Sequence, residues 1–271
     1  MQAWLTHPAV QSGLAPFVVA LIIAELLQRL RLSGLAIIAA FAATVYLVSD
    51  FTFEPLTATR KIVLLGLASA ALGLLALPVK NNWPRPILAL AASGAVIWMA
   101  QRILQQQSST DLLAWGAGLA ALAGWLALWN DLLHNDSVRA SSAGLGLGIG
   151  VGGAALFAGS ALLGQLSLAI GAAAGAYFLI QMLANSPLPG GRLLTLPLAV
   201  IPALCAALAA LTTPLPWYVL PVIAVIPVAA QVPVPAKSAT WLQCVLTSLA
   251  TLLCAGIAIY LTWRVAGAPP L

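Results

Sequence analysis

Charge is what this 271-residue chain has least of: Asp, Glu, Lys and Arg together make up 6% of it, where a soluble domain carries about a quarter. So little charge excludes an ordinary water-facing surface. Long polar stretches are missing as well. The longest polar connectors, around residues 50–61 and 130–142, run to about a dozen residues, too short to enclose a core of their own. Histidine occurs twice, as His7 and His134. Too few imidazoles are present for a bound haem or a Ser, His and acid constellation. The three cysteines, Cys205, Cys244 and Cys254, fall in apolar segments with no metal or redox spacing, and they read as small core residues. The run Asp131, His134 and Asp136 holds three side chains of ligand type, but no further acid, His or Cys completes a metal shell. No catalytic residue, cofactor or metal is therefore expected.

Eleven basic residues against six acidic ones give a formal net charge of +5. They are scattered over the connectors and make no basic face, so nucleic acid is not expected as a partner. Stretch 1–12 lacks the basic n-region of a secretory signal, and no small-residue cleavage pattern follows. The first apolar segment is expected to be retained.

What is present is hydrocarbon-compatible sequence: 62% of residues are hydrophobic and the mean hydropathy is +1.04. A bilayer-crossing helix needs about 20 mostly apolar residues. The chain divides into ten such segments: Leu14 to Gln28, Ser33 to Ser49, Ile62 to Val79, Pro86 to Leu104, Leu112 to Leu133, Gly144 to Leu163, Gln165 to Leu183, Leu194 to Thr212, Trp217 to Val232 and Leu242 to Trp263. The expected fold is an all-α polytopic integral membrane helix bundle of about ten transmembrane helices, a single transmembrane domain over residues 1–271 with the lipid bilayer as its solvent. Of the nine tryptophans, Trp4, Trp83, Trp217, Trp241 and Trp263 stand near segment ends. Their amphipathic rings prefer that interface.

Connectors on the cytoplasmic side carry excess Lys and Arg. With the N-terminus outside, that side receives Arg29, Arg31, Lys80, Arg85, Arg139, Arg192 and Lys237, and the opposite side receives Arg60, Lys61, Arg102 and Arg264. This places both termini on the periplasmic side of a bacterial inner membrane. Leu35, Ala36, Ile37, Ala39 and Ala40 recur as Leu168, Ala169, Ile170, Ala172 and Ala173, each set near the start of a second helix. Halves 1–135 and 136–271 of five helices each would insert with opposite orientation, the 5+5 inverted repeat of many transporters.

Function-bearing features are few. Glycines recur at 144, 146, 148, 150, 152 and 153, a spacing that lets helix backbones approach closely in lipid or frees a segment to unwind and line a cavity. Prolines crowd the later segments: Pro197, Pro202, Pro214, Pro216, Pro221, Pro227, Pro233 and Pro235. Each one inside a helix removes a hydrogen bond and clashes with the preceding turn, so the ninth segment is expected to be kinked or broken. Gly148, Gly152, Pro221, Pro227 and Gln231 are the substrate-binding candidates of a permease or facilitator for a small solute or lipid-like molecule. Glu25 is the one acid placed inside a span, and with Arg29 four residues on it forms a candidate ion pair or gating carboxylate. Glu54, Arg60 and Lys61, in the chemically varied stretch after Asp50, are candidates for outer-face contact with an anion or partner. The alternative function is a non-catalytic subunit that scaffolds or regulates a larger membrane complex with other membrane subunits as partners. An enzyme acting on a lipid-linked substrate at the outer rim is weaker, for lack of an acid and base pair.

Overall fold

Each of the ten apolar segments folds as a helix in the computed structural model, which describes residues 7–49, 51, 54–77, 84–235 and 238–267. Trp4, Asp50, Lys80, Trp83 and Lys237 lie outside the described residues. In chain order the helices are α1 (Val10–Leu30), which opens in a π turn and closes in a 3-10 turn, α2 (Leu35–Val48), α3 (Ala58–Leu75), α4 (Pro84–Leu104) and α5 (Ser109–Leu132). The second five are α6 (Ser137–Phe157), α7 (Ala161–Ala184), α8 (Gly191–Thr212), α9 (Val219–Ala229) and α10 (Thr240–Ala266). Among the described residues there is no strand. Eight helices are long and apolar enough to cross a membrane, and α2 and α9 are shorter. At 1.5 Å per residue, the 11 residues of α9 reach about 16 Å, half a hydrocarbon core.

Local sequence sets the ends. Thr57 accepts the Arg60 amide at the start of α3, Ser108 accepts the Asp111 amide at the start of α5, and Asp136 accepts the Arg139 amide at the start of α6. Each is a short polar side chain satisfying one of the orphan donors of a first turn. Gly159, at φ +94°, ends α6. Helix α6 starts at Ser137, seven residues before the apolar run that marks it in the sequence, so Arg139, Ser141 and Ser142 belong to a helix and not to a connector. The serines are invisible to hydropathy as span residues because their hydroxyls are satisfied inside: Ser141 donates to the Ser137 carbonyl at 2.6 Å, and Ser142 lies 3.2 Å from the Thr251 hydroxyl of α10. Helix α9 runs unbroken through Pro221 and Pro227 and ends before Pro233 and Pro235, so the ninth segment is short rather than broken within its helix. Likewise, α8 carries Pro197 and Pro202 and stays helical throughout.

Helix α8 is the hub. Its whole membrane-length stretch is buried, with α3, α5, α6 and α7 packed around it. Lipid tails are as apolar as leucine, so burial of apolar surface does not drive this assembly; close packing and interhelical hydrogen bonds do. The glycine run of α6 supplies the packing. Residues four apart share a helix face and residues two apart fall on opposite faces. A Cβ on Gly148 would lie 2.2 Å from the Gly171 amide nitrogen of α7, and one on Gly152 would lie 2.9 Å from the Leu168 nitrogen. On the other side, Gly146 and Gly150 meet Ile226 of α9 and Thr251 and Ala255 of α10, and Gly144 meets Leu198 of α8. Alternating glycines thus make α6 thin on every side at once.

Some packing corresponds between the halves: α1 with α2 and α6 with α7, and again α4 with α5 and α9 with α10. The extensive packing of α6 on α10 has no comparable pairing of α1 with α5 among the described residues.

Candidate functional site

One end of the bundle carries the turns 31–34, 133–136 and 185–190, and there the molecule buries its charge. Asp131, in the last turn of α5, has no exposed side-chain surface. Its Oδ1 accepts from Arg192 Nε at 2.8 Å and its Oδ2 from Arg85 Nε at 3.1 Å. Arg192, in the first turn of α8, is 2% exposed, and Arg85 of α4 is 20% exposed. One carboxylate therefore ties three helices together. A charge at the end of its own helix dipole that disfavours it, Asp at a C-terminus or Arg at an N-terminus, is destabilised. Here α5 ends where α8 begins, so each charge stands beside the end of the other helix that favours it.

Next to this triad a recess of about 590 Å³ is lined by Arg31, His134, Asn135, Ser137, the Pro187 to Pro189 turn and the first residues of α8. Buried polar links fix its walls. The Ser33 hydroxyl lies 2.9 Å from the Tyr177 hydroxyl, and both donate to the Pro189 carbonyl. Gln181 accepts from Ser137 Oγ at 2.7 Å and from the Leu188 amide at 3.3 Å, while its Nε2 donates to Ser141 Oγ at 3.0 Å. His134 Nδ1 donates to the Asp131 main-chain oxygen at 2.6 Å. That bond fixes the tautomer, so Nε2 is a lone-pair acceptor, and it has no partner among the described residues. Gly190 heads α8 without a side-chain cap. Arg31 takes the left-handed conformation at φ 60° and ψ 24°, where a non-glycine residue costs about 1 kcal/mol. Among the described residues the Arg31 guanidinium has no hydrogen-bond or ion-pair partner.

The residues singled out in the sequence do not converge. Gly148 and Gly152 face the α7 backbone with no free space between. Pro221 lines an apolar groove of about 520 Å³ between α5 and α9, with Trp115, Trp125 and Trp217. Pro227 is buried, and Gln231 sits at the opposite rim, where its carbonyl accepts from Arg139 Nη1 at 3.3 Å. Glu25 is exposed and accepts from Gln28 Nε2 at 2.5 Å, with no ion pair to Arg29 among the described residues. The buried acid is Asp131, which the sequence places in a connector. Glu54 is exposed, Arg60 Nη1 donates to the Pro55 carbonyl at 2.7 Å, and Lys61 turns inward. Lys61 is 7% exposed, donates to the Trp98 carbonyl at 2.7 Å and lies 4.7 Å from the Trp98 ring centroid. The two basic residues are not an exposed pair.

Arg85 and Arg192 look, in sequence, like rim charges that set topology, and Asp131 like part of a run of ligand-type side chains. Only the convergence of three helices reveals them as one cluster. The local signal was Asp131 itself, an acid in the last turn of a span and without a cation three or four residues away on its own helix. The run of ligand-type side chains around it is committed elsewhere: Asp131 to the arginines, His134 to a carbonyl, and Asp136 to the α6 cap and to Arg139 at 3.2 Å. No protein-family model matches the chain, and no curated protein matches it.

Proposed function

We propose that this chain is a permease or facilitator that passes a small polar solute through its helix bundle, with the basic end in the cytoplasm and both termini in the periplasm of a bacterial inner membrane. What supports this is the buried Arg85, Asp131 and Arg192 cluster at the recess that opens on the head of α8. Ionised groups inside a membrane protein are costly and mark solute or ion paths. Further polar atoms continue inward: Thr195 Oγ1, one turn into α8 from Arg192, and Asn130 Oδ1, beside Asp131, are buried with no hydrogen-bond partner among the described residues. A buried unpaired polar atom costs about 1–3 kcal/mol, so a transient partner, water or solute, explains their retention better than packing does.

The test needs no knowledge of the substrate. With Cys205, Cys244 and Cys254 replaced by alanine, Thr195→Cys in sealed membrane vesicles is exposed to an impermeant thiol reagent from each face in turn. A permease gives reaction from both faces. Reaction from one face alone, or from neither, overturns translocation.

A second reading, a non-catalytic subunit of a larger complex, draws on the solid α6 to α7 seam and on the apolar stripe Leu246, Leu249, Leu253, Ile257 and Tyr260 exposed on α10. It predicts that Thr195→Cys is inert from both faces and that gentle extraction brings a fixed membrane partner with the chain.

A further inference from the structure

We propose that the seam between α3 and α4 is a lateral gate of the bundle, latched at one mouth by the Lys61 ammonium on Trp98. The gate goes beyond the permease reading and does not rest on it, since a lateral opening would serve a transporter and a subunit alike.

The seam is thin along its length and tied at its ends. Helix α3 lies chiefly on α8 and α4 chiefly on α5, and the two touch each other little. Between them a crevice of about 70 Å³ reaches α8, with Ala68 and Ser69 of α3 and Ala92 and Ala95 of α4 on its walls and Leu196 and Val200 of α8 as its floor. That is room for only a few waters, so the seam stands closed. Lys61 and Trp98 each stand one turn beyond a crevice residue of their own helix, Leu65 and Ala95, and their contact seals that mouth. Lys61 Nζ donates to the Trp98 carbonyl at 2.7 Å and lies 4.7 Å from the ring centroid. At the other mouth Arg192 Nη1 reaches the Ala76 carbonyl, just past α3, at 3.5 Å, and Asp131 joins Arg192 to Arg85 of α4.

A clip with no other purpose would not be a lysine. Lys61 is 7% exposed, and among the described residues no carboxylate pairs with it. A buried ammonium without a counter-charge is costly in a membrane protein, and as the fourth residue of α3 it also stands near the unfavourable positive end of the helix dipole. Methionine or leucine would join the two helices without that cost. What the ammonium provides is a contact concentrated at one point, on one carbonyl and one ring face, whereas interlocked side chains must separate along a whole seam. Trp98 is itself 40% exposed, so its ring can swing outward without unpacking the core. Parting the seam uncovers Leu196 and Val200, an apolar face at membrane depth. The bilayer component admitted there is a hydrocarbon chain.

The experiment uses the full chain in phosphatidylcholine nanodiscs, with Cys205, Cys244 and Cys254 replaced by alanine. Nitroxides on Ala68→Cys and Gly94→Cys report the α3 to α4 distance by pulsed dipolar spectroscopy, and nitroxides on Gly94→Cys and Gly118→Cys report α4 to α5. Ala68 is exposed, and an added carbon at either glycine meets nothing within 4 Å, so the labels are accommodated. Lys61→Met keeps the apolar stem and removes the ammonium, and Trp98→Leu removes the ring and keeps the carbonyl. In Lys61→Met the α3 to α4 distance is expected to lengthen by at least about 2 Å and to broaden, and to change less in Trp98→Leu. The α4 to α5 distance is expected to stay fixed in both, because those helices pack along their length. Phosphatidylcholine carrying a diazirine on its acyl chain, photolysed and mapped by mass spectrometry, is expected to label Leu196 or Val200 several-fold more in Lys61→Met than in wild type. An unchanged α3 to α4 distance in Lys61→Met overturns the latch, because packing then holds the seam. Lengthening of both distances overturns it too, because α4 has then left the bundle. Acyl-chain labelling at Leu196 and Val200 that does not rise in Lys61→Met overturns the gate.

Discussion

Two residues carry the sharpest energetic consequences. Asp131 neutralises Arg192 inside the protein, and removing one partner of a buried ion pair typically costs about 3–5 kcal/mol, because a charge is left without compensation. Asp131→Asn is therefore expected to lower the thermal stability of the detergent-solubilised protein severely. Arg85→Met, at the partly exposed arm of the same cluster, is expected to cost clearly less, because Arg192 and Asp131 keep each other. Size-exclusion profiles after graded heating measure both, and equal losses would contradict the division of labour drawn from the burial. Arg31 runs the other way. Its backbone is strained and its side chain has no protein partner among the described residues, so Arg31→Gly is expected to raise stability by about 0.5–1 kcal/mol. A fall in melting temperature would mean that the guanidinium contributes to the fold by more than the backbone strain costs.

At the scale of the helix, the close-packed glycine run of α6 differs from the open Gly118 of α5 in its tolerance of a methyl group. Gly148 does not tolerate one, since a Cβ there would sit 2.2 Å from a backbone nitrogen of α7, and backbone cannot step aside as a side chain can. Gly148→Ala is expected to push α6 and α7 apart and abolish a monodisperse elution peak. Gly118→Ala, with nothing within 4 Å of its added carbon, is expected to leave the peak unchanged. The helices themselves were legible in the sequence, because apolar length is the strongest signal a bilayer imposes. The function of the glycines was only half legible. Spacing by two and four shows that a helix is thin on opposite sides, but not whether a neighbour or a cavity fills the thinness. The start of α6 was misread because Ser137, Arg139, Ser141 and Ser142 look polar, and only partners from α7 and α10 make the three serines acceptable inside. The same blindness hid Asp131, whose two arginines come from α4 and α8, far away in sequence. Long-range pairing of charges leaves no local trace.

For the whole molecule, ten crossings joined by short connectors would alternate the turns and bring both termini to one face. In the cysteine-free background, single cysteines at Gln106 and Ser186 are expected to react with an impermeant reagent from opposite faces, Ser186 from the cytoplasm. Labelling of both from the same side would require one fewer or one more crossing between α4 and α8. The proposed orientation takes its sign from the excess of basic residues around Arg31, Arg85, Arg139 and Arg192.

The central position of α8 also governs biosynthesis. A ribosome delivers helices in numerical order, and the one element with no lipid-facing surface is the eighth to emerge. Until it does, α3, α5, α6 and α7 must wait in the bilayer around a vacant slot, their small-residue faces open to lipid or to the wrong neighbour. The halves of this protein cannot mature independently and dock afterwards, because α8 is the axle on which α3 and α5 of the first half close. Nascent chains stalled before Gly191 should therefore be recognised and degraded, and those stalled far enough beyond Thr212 for α8 to have left the ribosome should already hold most of the native contacts.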